Sequence, residues 1–149
     1  MTTTLTRPPH AAEATSPLPT SRTYTALIGL GTLTILLQGL WAGLFLEHGN
    51  PDAAGNWVEV HARGGEVALI LVAAATVTAF ISVRPRRDLW LGGAVLSALL
   101  VVEAYIGGLI RDSGQDSLTP VHIPLAMAIV GLSVWLFARS RRRRQEPVA

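Results

Sequence analysis

Two histidines stand in matching surroundings. Val60-His61 opens one apolar run and Val121-His122 opens another. Gln38 precedes His61 by 23 residues and Glu103 precedes His122 by 19. Gln38 lies in Leu37-Gln38-Gly39-Leu40-Trp41-Ala42-Gly43-Leu44-Phe45, and Glu103 in Val102-Glu103-Ala104-Tyr105-Ile106-Gly107-Gly108-Leu109-Ile110. Aligning Gln38 with Glu103 pairs Gly43 with Gly108, and an acidic residue follows in each string, Glu47 and Asp112. Two facing neutral imidazoles can occupy both axial positions of a haem iron, with each second ring nitrogen held by a neighbour. Haem propionates are anions that suit arginine, and Arg63 and Arg111 stand beside this level. Gly64 and Gly65 follow His61 by three and four residues, on the same helical face, where a porphyrin would need room. The expected cofactor-binding set is therefore His61, His122, Arg63, Arg111, Gly64 and Gly65, with His61 and His122 on the iron of one haem b.

The same residues have plainer uses. Histidines at helix starts are ordinary at a membrane interface, Gly39-x-x-x-Gly43 and Gly107-Gly108 suit close helix packing, and the two arginines can anchor an interface. A Zn or Cu site is short of a third ligand at a recognisable spacing; His48 is an outside candidate, and His10 lies in the N-terminal tail. Glu103 would lie ~12 Å along a helix from Arg111, deep enough to require protonation, a partner or the bundle interior. Glu103 and Glu59 are the candidates for proton transfer.

The elements that must position these groups are long uncharged runs. Four spans are expected, 24–46, 64–83, 88–110 and 120–138, each near the ~20 residues that cross a hydrocarbon core. Leu27 to Leu37 and Val67 to Val83 hold no charged residue, so neither has the polar stripe of a soluble helix. Half of the 149 residues are apolar and 15% are charged, unlike a disordered chain. With no cysteine, disulfide frameworks and thiolate metal sites are excluded. The first run is too long for a signal-peptide core and lacks a clear cleavage site. Residues 1–23, rich in Thr, Pro, Ala and Ser, read as a disordered tail, and 139–149 as a basic one. Asn56 and Thr119 are the expected helix caps, Asn56 with Glu59 in a capping box and Thr119 with proline behind it.

All 12 basic residues are arginine, and ten of them fall in the two tails and the turn at 84–87. The positive-inside rule then puts both termini in the cytoplasm of a bacterial inner membrane and the loops at 47–63 and 111–119 outside. The Arg139–Arg144 cluster serves as a topology anchor meeting anionic lipid, and no nucleic-acid partner is expected. Short connections make the spans antiparallel neighbours, so the expected fold is an all-α integral membrane up-down-up-down four-helix bundle built of two repeated helical hairpins. Spans two and four share a diagonal, which brings His61 opposite His122.

These motifs resemble a known family. Glu103-x-x-x-Gly107-Gly108, a short loop and Val121-His122-x-x-x-Ala126 are similar to a stretch of heme A synthase, where the first residue is usually glutamine, as at Gln38 here. The resemblance covers roughly residues 30–138, one four-helix half of that enzyme. It implies that His61 and His122 match histidines at the outer starts of the second and fourth helices. The chain also resembles small bacterial four-helix membrane proteins that share a Val-His-x-x-Gly-Gly element, here Val60-His61-Ala62-Arg63-Gly64-Gly65. It departs from the enzyme in placing Ala62 between His61 and Arg63, in the position of Glu59, and in lacking the cysteine pair of many members. With one half present, the resemblance implies haem binding more than oxidation chemistry. Three roles follow as expectations: a haem b protein for electron transfer or haem handling, a cofactor-free structural or assembly subunit of a membrane complex, and a heme A synthase-like oxidase acting as a homodimer. The bilayer is the expected surrounding. The sequence names no redox partner.

Overall fold

The structure, a computed structural model, describes residues 21–47 and 51–142. His10 and His48, most of the N-terminal tail and the end of the basic tail lie outside the described residues. Four helices carry the chain: α1 (Arg22–Glu47), α2 (Pro51–Ser82), α3 (Arg87–Ser113) and α4 (Thr119–Arg141). A single 3-10 turn, Asp116–Leu118, precedes α4, and the described residues contain no strand. Each of the four is long and apolar enough to cross a membrane. Large apolar side chains such as Leu33, Ile70, Ile81, Val101 and Met127 stand more than half exposed on the outer faces. In water such a surface would drive association, whereas lipid is its natural solvent.

Contacts link α1 with α2, α2 with α3, α3 with α4, and α4 back to α1. The backbones of the diagonal pairs α1/α3 and α2/α4 nowhere approach within 8 Å among the described residues, so the helices form a closed square ring. At least one glycine eases each of its four sides. A Cβ on Gly31 of α1 would lie 3.1 Å from Val72 of α2, and one on Gly92 of α3 would lie 2.7 Å from Leu136 of α4. Gly93 of α3 faces Thr76 of α2 more tightly still, and Phe137 of α4 lies on Gly29 of α1. In lipid, where apolar burial gives little advantage, such close approach is what holds helices together.

The interior follows a seven-residue repeat. Buried positions on the repeat are Tyr24, Ile28, Gly31 and Ile35 on α1; Ala68, Val72, Ala75 and Ala79 on α2, with Val83 just past its end; Leu89, Gly93, Leu96 and Leu100 on α3; and Ile129, Ser133, Leu136 and Ser140 on α4. This is the seam spacing of left-handed bundle packing. Thr32 ties α1 to α4, its hydroxyl sharing its proton between the carbonyls of Ile28 at 2.8 Å and Ser133 at 3.3 Å. Both described chain ends and the α2–α3 turn lie together at one end of the ring, called here the basic end. The opposite end is called the histidine end.

Helix starts differ from the expected caps. α2 begins at Pro51, whose fixed φ suits a first turn, and it runs through Asn56 without a break. Asn56 is therefore inside α2, and His61 lies in its third turn. Thr119 is the first residue of α4, and no side chain caps that helix. α3 runs to Ser113 and ends at Gly114, whose φ of 63° is the left-handed conformation that glycine adopts without strain. The Gly114 amide donates to the Ile110 carbonyl and Gln115 to Leu109, a paired helix stop.

Candidate functional site

Extending the buried repeat toward the histidine end gives one polar residue on every helix. Three positions beyond Ile35 is Gln38, and three beyond Leu100 is Glu103. Seven before Ala68 is His61, and seven before Ile129 is His122. The seam of all four helices thus turns from apolar to polar at one level. Helix rise puts Gln38 and Glu103 ~24 Å, and His61 and His122 roughly 30 Å, from the basic end. Those distances are comparable with the ~30 Å thickness of a hydrocarbon core.

In the first hairpin, the His61 Nδ1 atom lies 3.2 Å from the Gln38 backbone carbonyl. With the Gln38 amide turned nitrogen-first toward α2, that nitrogen donates to the His61 carbonyl at 2.7 Å and its oxygen accepts from the Gly65 amide at 3.3 Å. Gln38 therefore clips onto one rung of the α2 ladder. Gly64 makes this possible, because a Cβ there would strike both the Gln38 amide and the Trp41 ring. The ring of His61 is fixed further by the edge of Phe45, 5.7 Å between centroids. Two tautomers fit these neighbours. Nδ1–H can donate to the Gln38 carbonyl, which leaves the Nε2 lone pair free; or Nδ1 can accept from the Gln38 amide nitrogen, also at 3.2 Å, which puts the proton on Nε2.

The second hairpin repeats the arrangement with a carboxyl in place of the amide. Glu103 Oε1 lies 3.1 Å from His122 Nδ1, and the side chains are only 13% and 22% exposed. The ring N–H is not aimed at the oxygen, so Oε1, Oε2 and Nδ1 all stand without a hydrogen-bond partner. Buried polar atoms are seldom left so. The His122 ring rests on α3 at Gly107, where a Cβ would come within 3.3 Å of Cε1. His61 is within electrostatic reach of both His122 and Glu103.

Beyond the layer lies a charged cluster. Arg63 pairs with Glu59 at 2.8 Å and Glu66 at 3.0 Å, while Arg111 pairs with Asp112 at 2.6 Å and reaches Glu59 at 3.8 Å. Glu59 thus stands between two arginines, linking α2 to α3. All these side chains are well exposed, which leaves the arginines free to exchange partners.

The residues singled out from sequence therefore converge at one end. His61, His122 and Glu103 share the layer, Arg63, Arg111 and Glu59 lie above it, and Gly64 and Gly65 flank His61. Gly64 is already filled by Trp41 and Gln38, so the room it provides is used within the protein. Gly65 meets only the Gln38 side-chain oxygen, at 4.0 Å. Sequence reasoning missed the seat of His122 on Gly107; the four-residue spacing from Glu103 to Gly107 is the signal that carries it. Among the described residues, no group of three or more His, Asp or Glu side chains gathers to hold a bare metal ion. Searches of protein-family models, curated proteins and solved structures find no match to this chain.

Proposed function

We propose that this membrane protein binds one b-type haem at the histidine end, with His61 and His122 as axial ligands. The observation that supports this most is the placement of two histidines on diagonal helices, at interior positions of the same repeat, each with its Nδ1 side turned to a partner on the preceding helix. With the ring proton on Nδ1, that disposition leaves Nε2 for a ligand and orients the ring, as holders of metal-bound histidine commonly do. The orphaned Glu103 and His122 atoms fit the same reading, since a ring turned by a ligand bond would bring the N–H onto the carboxylate. Arg63 and Arg111 would receive the propionates by giving up Glu59. Haem so bound supplies one-electron exchange. Two protein ligands leave no position for oxygen, so the role is electron transfer or haem handling. By the positive-inside rule the histidine end faces outward from a bacterial inner membrane, with both termini in the cytoplasm.

A second reading, a cofactor-free subunit of a membrane complex, is favoured by the clip of Gln38 and Trp41 onto Gly64, which is pure packing. Absorption spectra of the full chain in mild detergent, oxidised and then dithionite-reduced, separate the two. A sharp reduced alpha band with a Soret peak, lost in both His61→Ala and His122→Ala, is expected. A colourless protein after expression with added haem sinks the haem reading. So does full haem with unchanged spectra in either single variant.

A further inference from the structure

At the basic end, on the far side of the molecule from the histidines, an open groove of about 700 Å³ runs between α1 and α4. Its mouth is polar and positive, with Ser21, Arg22, Thr25 and Arg141; its floor, Ala26, Gly29, Leu30 and Phe137, is apolar. We propose that this groove seats an anionic glycerophospholipid from the leaflet at the basic end.

Depth supports a lipid. Arg22 to Leu30 spans ~12 Å of helix, enough for a phosphate at the mouth and the first acyl methylenes below. The floor is apolar and open: Phe137 packs against Gly29, where a Cβ would be only 2.9 Å from its ring, and Leu30 is 54% exposed. The mouth has unused capacity. Arg22 has no ion-pair or hydrogen-bond partner among the described residues, and Arg141 only rests over the Phe137 ring at 5.6 Å. Ser21 accepts from the Tyr24 amide and keeps its own hydroxyl proton to donate. The end charges of α1 and α4 are opposite and largely cancel, so two full arginine charges remain to select an anion. A zwitterionic headgroup would bring its own cation against them.

Native mass spectrometry of the detergent-purified full chain, offered phosphatidylglycerol or phosphatidylcholine of matched acyl chains, tests this directly. Phosphatidylglycerol should be retained at least fivefold over phosphatidylcholine. The Arg22→Gln/Arg141→Gln pair should lower that retention at least fivefold, whereas Arg84→Gln/Arg87→Gln, which removes equal charge at the same end, should leave it. Ala26→Trp keeps both charges and fills the floor; it too should reduce retention, and it decides the question if the arginine pair is misfolded. Equal loss from both arginine pairs would mean diffuse charge attraction and overturn the proposal. So would retention unchanged by Ala26→Trp, or full competition by glycerol phosphate at equal concentration, which would mark an anion site with no acyl slot. Haem content plays no part in the readout, so a colourless protein leaves this test intact.

Discussion

Glu103 and His122 stand 3.1 Å apart on neighbouring helices, where the first hairpin has Gln38 and His61 at 3.2 Å. One hairpin thus sets a neutral carbonyl beside its imidazole and the other a carboxyl. If both rings ligate haem, the carboxyl makes the His122 ring the more basic ligand and favours ferric iron. Glu103→Gln keeps the shape and replaces the carboxyl by an amide. A redox titration of the loaded protein should then show a higher potential, and haem affinity should fall roughly 10–100-fold. A potential equal to that of the unaltered protein would mean that Glu103 has no bearing on the ligand.

Arg63 and Arg111 separate cofactor binding from stability. Their ion pairs are solvent-exposed, so Arg63→Gln with Arg111→Gln should leave unfolding in detergent essentially unchanged. The same variant should lose haem on washing faster than the parent, because the propionates lose both cations. Haem retention unchanged, with stability unchanged, would assign the two arginines to the interface alone.

Two glycines of opposite setting test the packing. Gly93 of α3 is buried against Thr76 of α2, while Gly131 of α4 has nothing within 4 Å of where a Cβ would stand. Gly93→Ala forces the helices apart and should destabilise by about 1–3 kcal/mol. Gly131→Ala adds helix propensity and should stabilise by roughly 0.5–1 kcal/mol. Denaturation in mixed detergent, followed by circular dichroism, reads both.

The four helices were legible because long apolar runs leave a backbone few options in lipid. The placement of both histidines toward one end was legible because the two hairpins repeat, and spacing in a repeat carries over to spacing in a ring. The start of α2 was not: Gly55 and Asn56 look like a boundary, but Pro51 provides an earlier start and the helix propagates through them. Nor was the filling of Gly64. A missing side chain shows that something comes close, and only the register between α1 and α2 shows that it is Trp41 and Gln38. Arg86 reads as one more topology charge in a basic turn. Its place three residues before Leu89 puts it on the seam, and the fold buries it.

That burial leads to the sharpest stability test. Arg86 is 3% exposed; its Nη2 donates to Asp88 at 3.0 Å and to the Arg139 carbonyl at 3.1 Å, while Nε and Nη1 have no partner. Asp88 also accepts from Arg139 at 2.9 Å, so one carboxylate balances a buried and an exposed cation. Desolvation makes the buried half dominant, because an uncompensated charge there costs far more than an exposed one. Asp88→Ala should therefore destabilise by about 3–5 kcal/mol. Arg86→Met with Asp88→Ala removes the stranded charge and should recover most of that loss. What remains unrecovered is the surface pair with Arg139, up to about 1 kcal/mol, and the favourable place of Asp88 in the first turn of α3, about 0.3–1 kcal/mol. A double-mutant cycle isolates the coupling between the two side chains. If the double variant were as unstable as Asp88→Ala alone, the stranded guanidinium would not be the cause, and Asp88 would act through Arg139 and the helix start instead.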